Sequence, residues 1–273
     1  MTETIILNIL TQFFYFFGVV FLIGFLISRI NRRFYGLWRN SHAVCLATGF
    51  LGTPIHELGH AFFCVVFRHK IEEIKLFQID DESGTLGYVS HSYNRRNIWQ
   101  KLGNYFIGVA PILCGSAVLL LFANWLIPHA YSQMYSTIKS FANSKADVFS
   151  SDWFTSYWDV FCGMLFSLFT DGDWGWGKWV FFILSFCIAL HMNLSGADIK
   201  NATPSIPLLC IVLIAVNFAI GLISKSVYRD FLSVMNFAGG FVSATLLLSI
   251  ALSVAYLIAG LLIRLVFRIL HLR

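Results

Sequence analysis

The chain has 273 residues, of which 58% are hydrophobic and only 12% charged. Soluble domains carry roughly 25% charge, so this composition excludes an ordinary soluble domain and points to a single integral membrane domain over 1–273. The net charge of +5 does not call for a nucleic-acid partner, because Lys and Arg cluster beside apolar runs, as membrane flanks do.

A spanning helix needs about 20 mainly apolar residues. The pattern predicts such helices over 5–28, closed by RINRR, over 43–67, and over 103–127, ending before Pro128. A shorter one runs from Trp179 to Leu194 behind a Trp-rich flank. Two more, 206–224 and 239–263, form a C-terminal pair within 206–273. The first run is too long for a signal-peptide core and reads as a retained helix. The expected fold is therefore an all-α polytopic membrane protein with about six transmembrane helices, both termini on one side. Lys and Arg divide almost evenly between the two faces. Discounting Lys139 and Lys145, which fall in a long loop, favours cytoplasmic termini.

Two connections are longer than simple loops. Residues 68–101 are polar, and IEEIKLFQI, DDESG and TLGYVSHSY read as strand, acidic turn and strand, pairing 71–79 with 85–93. The same segment also reads as a plain cytosolic connector. Residues 128–178 read as a long interfacial loop, in which SYWDVFCGMLFSLF suits an amphipathic or half-inserted helix and the Trp cluster suits the headgroup region. The six cysteines form no CxxC pair and mostly lie within apolar runs, where they read as small buried hydrophobes.

The second apolar run contains PIHELGH at 54–60. On a helix, successive residues turn by about 100°, so His56, Glu57 and His60 share one arc. His56 and His60 lie one above the other and can offer imidazole nitrogens to one ion. Glu57 points to their side, where it can take a proton from an activated water. Gly59 removes bulk beside them. Three specified residues in order make a chance match unlikely, and ionisable clusters inside membrane spans are usually functional. Zinc catalysis needs a third protein ligand and an open position. Asp198, in HMNLSGADIKN, follows the fourth span on the side toward which the second span runs after His60. An ordinary helix-flanking charge is the plain alternative for Asp198, and His191 competes either as a ligand or as a residue supporting the ligands.

HELGH in an apolar helix, an Ala-Pro-containing helix soon after, and a late Asn-Leu…Asp segment together resemble the site-2 protease family of intramembrane zinc metalloproteases. The resemblance covers about 43–202 as a catalytic core, including the 68–101 hairpin, since the family has a membrane-associated hairpin in the same place. It implies one zinc ion per chain held by His56, His60 and Asp198, with Glu57 as general base. GVAPILCG at 108–115 is similar to the family's Gly-Pro segment through Pro111 and Gly115. Asn193 stands where the family often has an asparagine supporting the oxyanion or the substrate backbone. The sequence departs from the family pattern in having Ile199 after Asp198 and Gly196 where a proline is expected. The resemblance implies a membrane-anchored protein or peptide as substrate, met within the lipid bilayer. The competing readings are a membrane protein that uses the His/Asp cluster to bind metal or protons, and a degenerate protease that acts as a binding partner.

Overall fold

The computed structural model describes residues 2–79, 85–143, 150–170, 172 and 174–270. The first apolar run forms α1 (Thr2–Phe13) and α2 (Val19–Tyr35), joined by a π-helical stretch, Phe14–Gly18. Helix α3 (Ser41–Val66) begins where the Asn40 side chain accepts from the Ala43 amide at 3.1 Å. It therefore carries the whole PIHELGH segment within one continuous helix.

After α3 come β1 (Lys70–Lys75) and β2 (Tyr88–Ser92), an antiparallel pair with Ile71 opposite His91 and Lys75 opposite Tyr88. The strands are shorter than the expected 71–79 and 85–93, and a bulge at Glu72 breaks the register between Ile71 and Glu73. The acidic turn DDESG, 80–84, lies outside the described residues.

Helix α4 (Ile98–Leu126) is capped by Asn97, whose side chain accepts from the Gln100 amide. Two more helices, α5 (Pro128–Ala142) and α6 (Ser151–Thr170), occupy most of the stretch expected to be an interfacial loop. Proline at the first position of α5 is well placed, since its missing N–H would have no helical partner there. Ala130, Met134, Ile138 and Phe141 form one buried face of α5, which packs against α6 and α10.

The chain then forms α7 (Trp176–His191), α8 (Gly196–Ala202), a 3-10 turn (Thr203–Ser205), α9 (Ile206–Ile223) and α10 (Lys225–Ile269). Among the described residues, four helical stretches are long and apolar enough to cross a membrane: Ile6–Tyr35, Ile98–Leu126, Gly196–Ile223 and Lys225–Ile269. The protein is thus a helical, membrane-embedded one with a small two-stranded sheet. The other two expected spans also form helices, but α7 has only 16 residues and α3 dilutes its apolar run with Thr48, Thr53, His56, Glu57 and His60.

In lipid, apolar burial gives little net drive between helices, so packing and interhelical hydrogen bonds carry the association. The side chains of Gln12 on α1 and Asn217 on α9 exchange two hydrogen bonds, and both residues are buried. Ser116 on α4 and Ser249 on α10 pair at 2.8 Å. For the site, the important packing is local. Helix α3 lies against both α4 and α7, and α8 packs on α4.

Candidate metal centre

His56 and His60 project from α3 on successive turns, and each is oriented by a backbone carbonyl. His56 Nδ1 donates to the carbonyl of His191 at 2.8 Å, and His60 Nδ1 donates to the carbonyl of Ile107 at 2.7 Å. Both acceptors are available for a physical reason. His191 is the last residue of α7, where helix carbonyls lack an intrahelical donor. Ile107 lies inside α4, but the residue four positions on is Pro111, which has no N–H to give.

With both Nδ1 atoms committed as donors, both Nε2 atoms present lone pairs. His60 Nε2 lies 3.3 Å from Asp198 Oδ1, and His56 Nε2 lies 3.9 Å from Asp198 Oδ2. One ligand atom from each of these three residues falls within 4.8 Å of the others. Two imidazole nitrogens and a carboxylate oxygen suit zinc, and rings held through their second nitrogen are the usual support of such ligands. The donor set therefore fits a zinc ion.

Asp198 is held by its own turn. Ser195 Oγ accepts from the Asp198 amide at 3.1 Å, and Asp198 Oδ2 accepts from the Ser195 amide at 2.8 Å, a reciprocal capping box at the start of α8. Gly108 makes the approach to α4 possible, because a Cβ there would lie 2.5 Å from the Asp198 carbonyl oxygen. Gly52 does the same between α3 and α7, where a Cβ would meet the Cys187 carbonyl at 2.3 Å and His191 Cβ at 2.8 Å.

The three residues line a cleft of about 670 Å³ together with Glu57, Ile107, Ser195 and residues of β2. Glu57 is buried at its wall. Just ahead of β2, Gly87 passes so close to α3 that a Cβ would sit 3.0 Å from Glu57 Cγ and 2.8 Å from Thr53 Cγ2. Asn201 and Ala197 of α8, with the capping residue Ser195, line the cleft as well, and Ser195 and Ala197 are exposed, so it communicates with the exterior on that side.

The other residues singled out from sequence have different surroundings. The His191 ring contacts Thr48 Oγ1 at 3.0 Å and Thr53 Oγ1 at 3.3 Å, so it meets the site through its carbonyl and not its imidazole. Asn193 accepts from Asn31 and donates to the Leu190 carbonyl, tying the end of α7 to α2. Pro111 is buried within α4 and bears on the site through the carbonyl it leaves open. Gly115 packs on Met192. Sequence reasoning did not find Gly52, Gly87 or Gly108, whose importance depends on what each one faces.

No protein-family model, curated protein or solved structure matches this chain.

Proposed function

We propose that this protein is a zinc-dependent intramembrane endopeptidase of the site-2 protease kind, hydrolysing a peptide bond in or near the transmembrane segment of a membrane-anchored protein. The observation that carries this reading is the convergence of His56 Nε2, His60 Nε2 and the Asp198 carboxylate on one cleft wall beside Glu57. The HELGH segment and the later aspartate supply the resemblance.

His56, His60 and Asp198 would hold the ion. When bound, it supplies Lewis acidity toward a carbonyl and acidity to a water. Glu57 takes the proton of the attacking water as the new carbon–oxygen bond forms. It then returns that proton to the amide nitrogen as the carbon–nitrogen bond breaks. Its burial keeps bulk water from competing for that proton.

A helical substrate hides its carbonyls and must be extended before attack. Tyr88, Val89, Ser90 and His91 of β2 line the cleft, and among the described residues the sheet has two strands. A substrate segment added alongside would gain backbone hydrogen bonds while lying across the site.

The test is Glu57→Gln in detergent-purified protein reconstituted with single-span peptides and read by mass spectrometry. Wild type is expected to release fragments cut within or beside the span. The variant should keep its zinc and release none. Undiminished cleavage by the variant would remove Glu57 from the mechanism, and fragments independent of zinc would remove the whole reading.

A further inference from the structure

The same helix carries a third metal-binding side chain type one turn beyond His60. Cys64 follows at the same four-residue spacing and is fully buried. One ligand atom each from Cys64, His69 and His91 lies within 4.8 Å of the others. None of the three belongs to the His56/His60/Asp198 set.

The geometry is that of a built site. Arg68 takes a left-handed conformation, φ 58°, just past the end of α3, which residues other than glycine rarely adopt. This turn folds His69 back so that its amide donates to the Cys64 carbonyl at 2.8 Å. The His69 ring is then pinned, with Nε2 donating to the Gln100 carbonyl at 2.7 Å and the ring stacked on Tyr93. That tautomer leaves a lone pair on Nδ1. His91, on β2, brings its own Nδ1 to 3.1 Å from it. Two zinc–nitrogen bonds of about 2.0–2.1 Å at a tetrahedral angle require nitrogens roughly 3.3 Å apart. The pair also stands as a hydrogen bond between neutral rings; what the geometry adds is a third donor atom, the Cys64 thiol, within 4.8 Å of the two ring nitrogens.

We propose that Cys64, His69 and His91 form a second zinc site that clips the β-hairpin to the end of α3. Binding converts the Cys64 thiol to thiolate, with its proton released to solvent. The ring proton that His91 lends to His69 moves to His91 Nε2. A thiolate and two imidazoles suit zinc, with a water completing the tetrahedron. Because His91 also lines the cleft, the clip fixes β2 over the Glu57 wall. This inference does not depend on the protease reading.

The experiment is metal analysis of the full chain, purified in detergent and desalted against a weak chelator, with a parallel cobalt-substituted spectrum. Wild type is expected to hold two zinc equivalents and to show a thiolate-to-cobalt charge-transfer band. Cys64→Ser should hold one equivalent and lose the band. His91→Ala, a substitution on the half-buried strand, should also hold one equivalent and keeps the test open if the buried variant misfolds. Asp198→Ala should lose one equivalent and retain the band. A wild type with one equivalent and no band, losing its metal in Asp198→Ala, overturns the second site and leaves the first. One equivalent in wild type, lost in Cys64→Ser and His91→Ala but kept in Asp198→Ala, supports the second site and defeats the first.

Discussion

Pro111 and His60 are linked through a single atom, the carbonyl oxygen of Ile107. The proline withholds the amide that an α-helix would bring to that oxygen, and His60 Nδ1 occupies it at 2.7 Å. A residue that ordinarily weakens a helix thereby fixes the tautomer and the aim of a candidate ligand on the neighbouring one.

Pro111→Ala would restore an N–H that competes for the Ile107 carbonyl. Loss of a ligand's hydrogen-bonded support typically costs 10–100-fold in metal affinity, and a loss of about 10-fold is expected here. Because alanine favours the helix, thermal stability of the metal-free protein should not fall. Chelator competition and thermal unfolding measured together separate this from general damage. A destabilised variant with unchanged affinity would contradict the link.

Gly52→Ala places a methyl group 2.3 Å from the Cys187 carbonyl. Helix α7 must retreat, carrying with it the His191 carbonyl that orients His56. Overpacking of this kind costs about 1–3 kcal/mol. The thermal midpoint and the zinc affinity should drop together, in contrast to the proline variant.

Gly87→Val lifts the segment ahead of β2 away from Thr53 and Glu57. The ligands of the first site are untouched, so its zinc should remain. A displacement of about 1 Å at a reacting centre costs on the order of 100-fold in rate, and turnover of the reconstituted peptides should fall by that order. Unchanged turnover would show that the hairpin does not position substrate.

The hairpin should also loosen in acid. Ser92 Oγ donates to Glu72 Oε1 at 2.7 Å, and Lys70 Nζ donates to Oε2 at 2.9 Å. Those hydrogen bonds hold the Glu72 carboxyl below the usual glutamate range, the Ser92 bond first. A carboxyl lowered in the folded state stabilises it above the unfolded pKa. That contribution fades as pH falls through the folded value. In the metal-free protein, amide exchange in β1 and β2 should therefore quicken as pH falls through the acid limb, after correction for the intrinsic rate, and Glu72→Gln should reduce that pH dependence.

The features legible in the sequence were those with a period or a fixed spacing. His56, Glu57 and His60 share a helix face by counting alone, and Asp198 stood out as a carboxylate where few occur. The long interfacial loop shows what was missed. Ala130, Met134, Ile138 and Phe141 already have helical spacing, but Ser, Gln and Lys between them gave the stretch a loop-like polarity. The glycines could not be ranked, since an apolar run does not reveal which of its small residues meets a neighbouring backbone. Cys64 was hidden in another way. A buried thiol looks like any other small hydrophobe until a turn at Arg68 brings a histidine beneath it.

Helix α8 has only seven residues, too few to hold together alone in water. Its place depends on the Ser195–Asp198 box and on the contact with Gly108 of α4. A chain whose helices had inserted but not packed would still carry the HELGH pair but would lack the Asp198 carboxylate beside it. Metal retention by the His56, His60 and Asp198 set would therefore report completed assembly, and immature chains would be left without the proposed centre until their helices had come together.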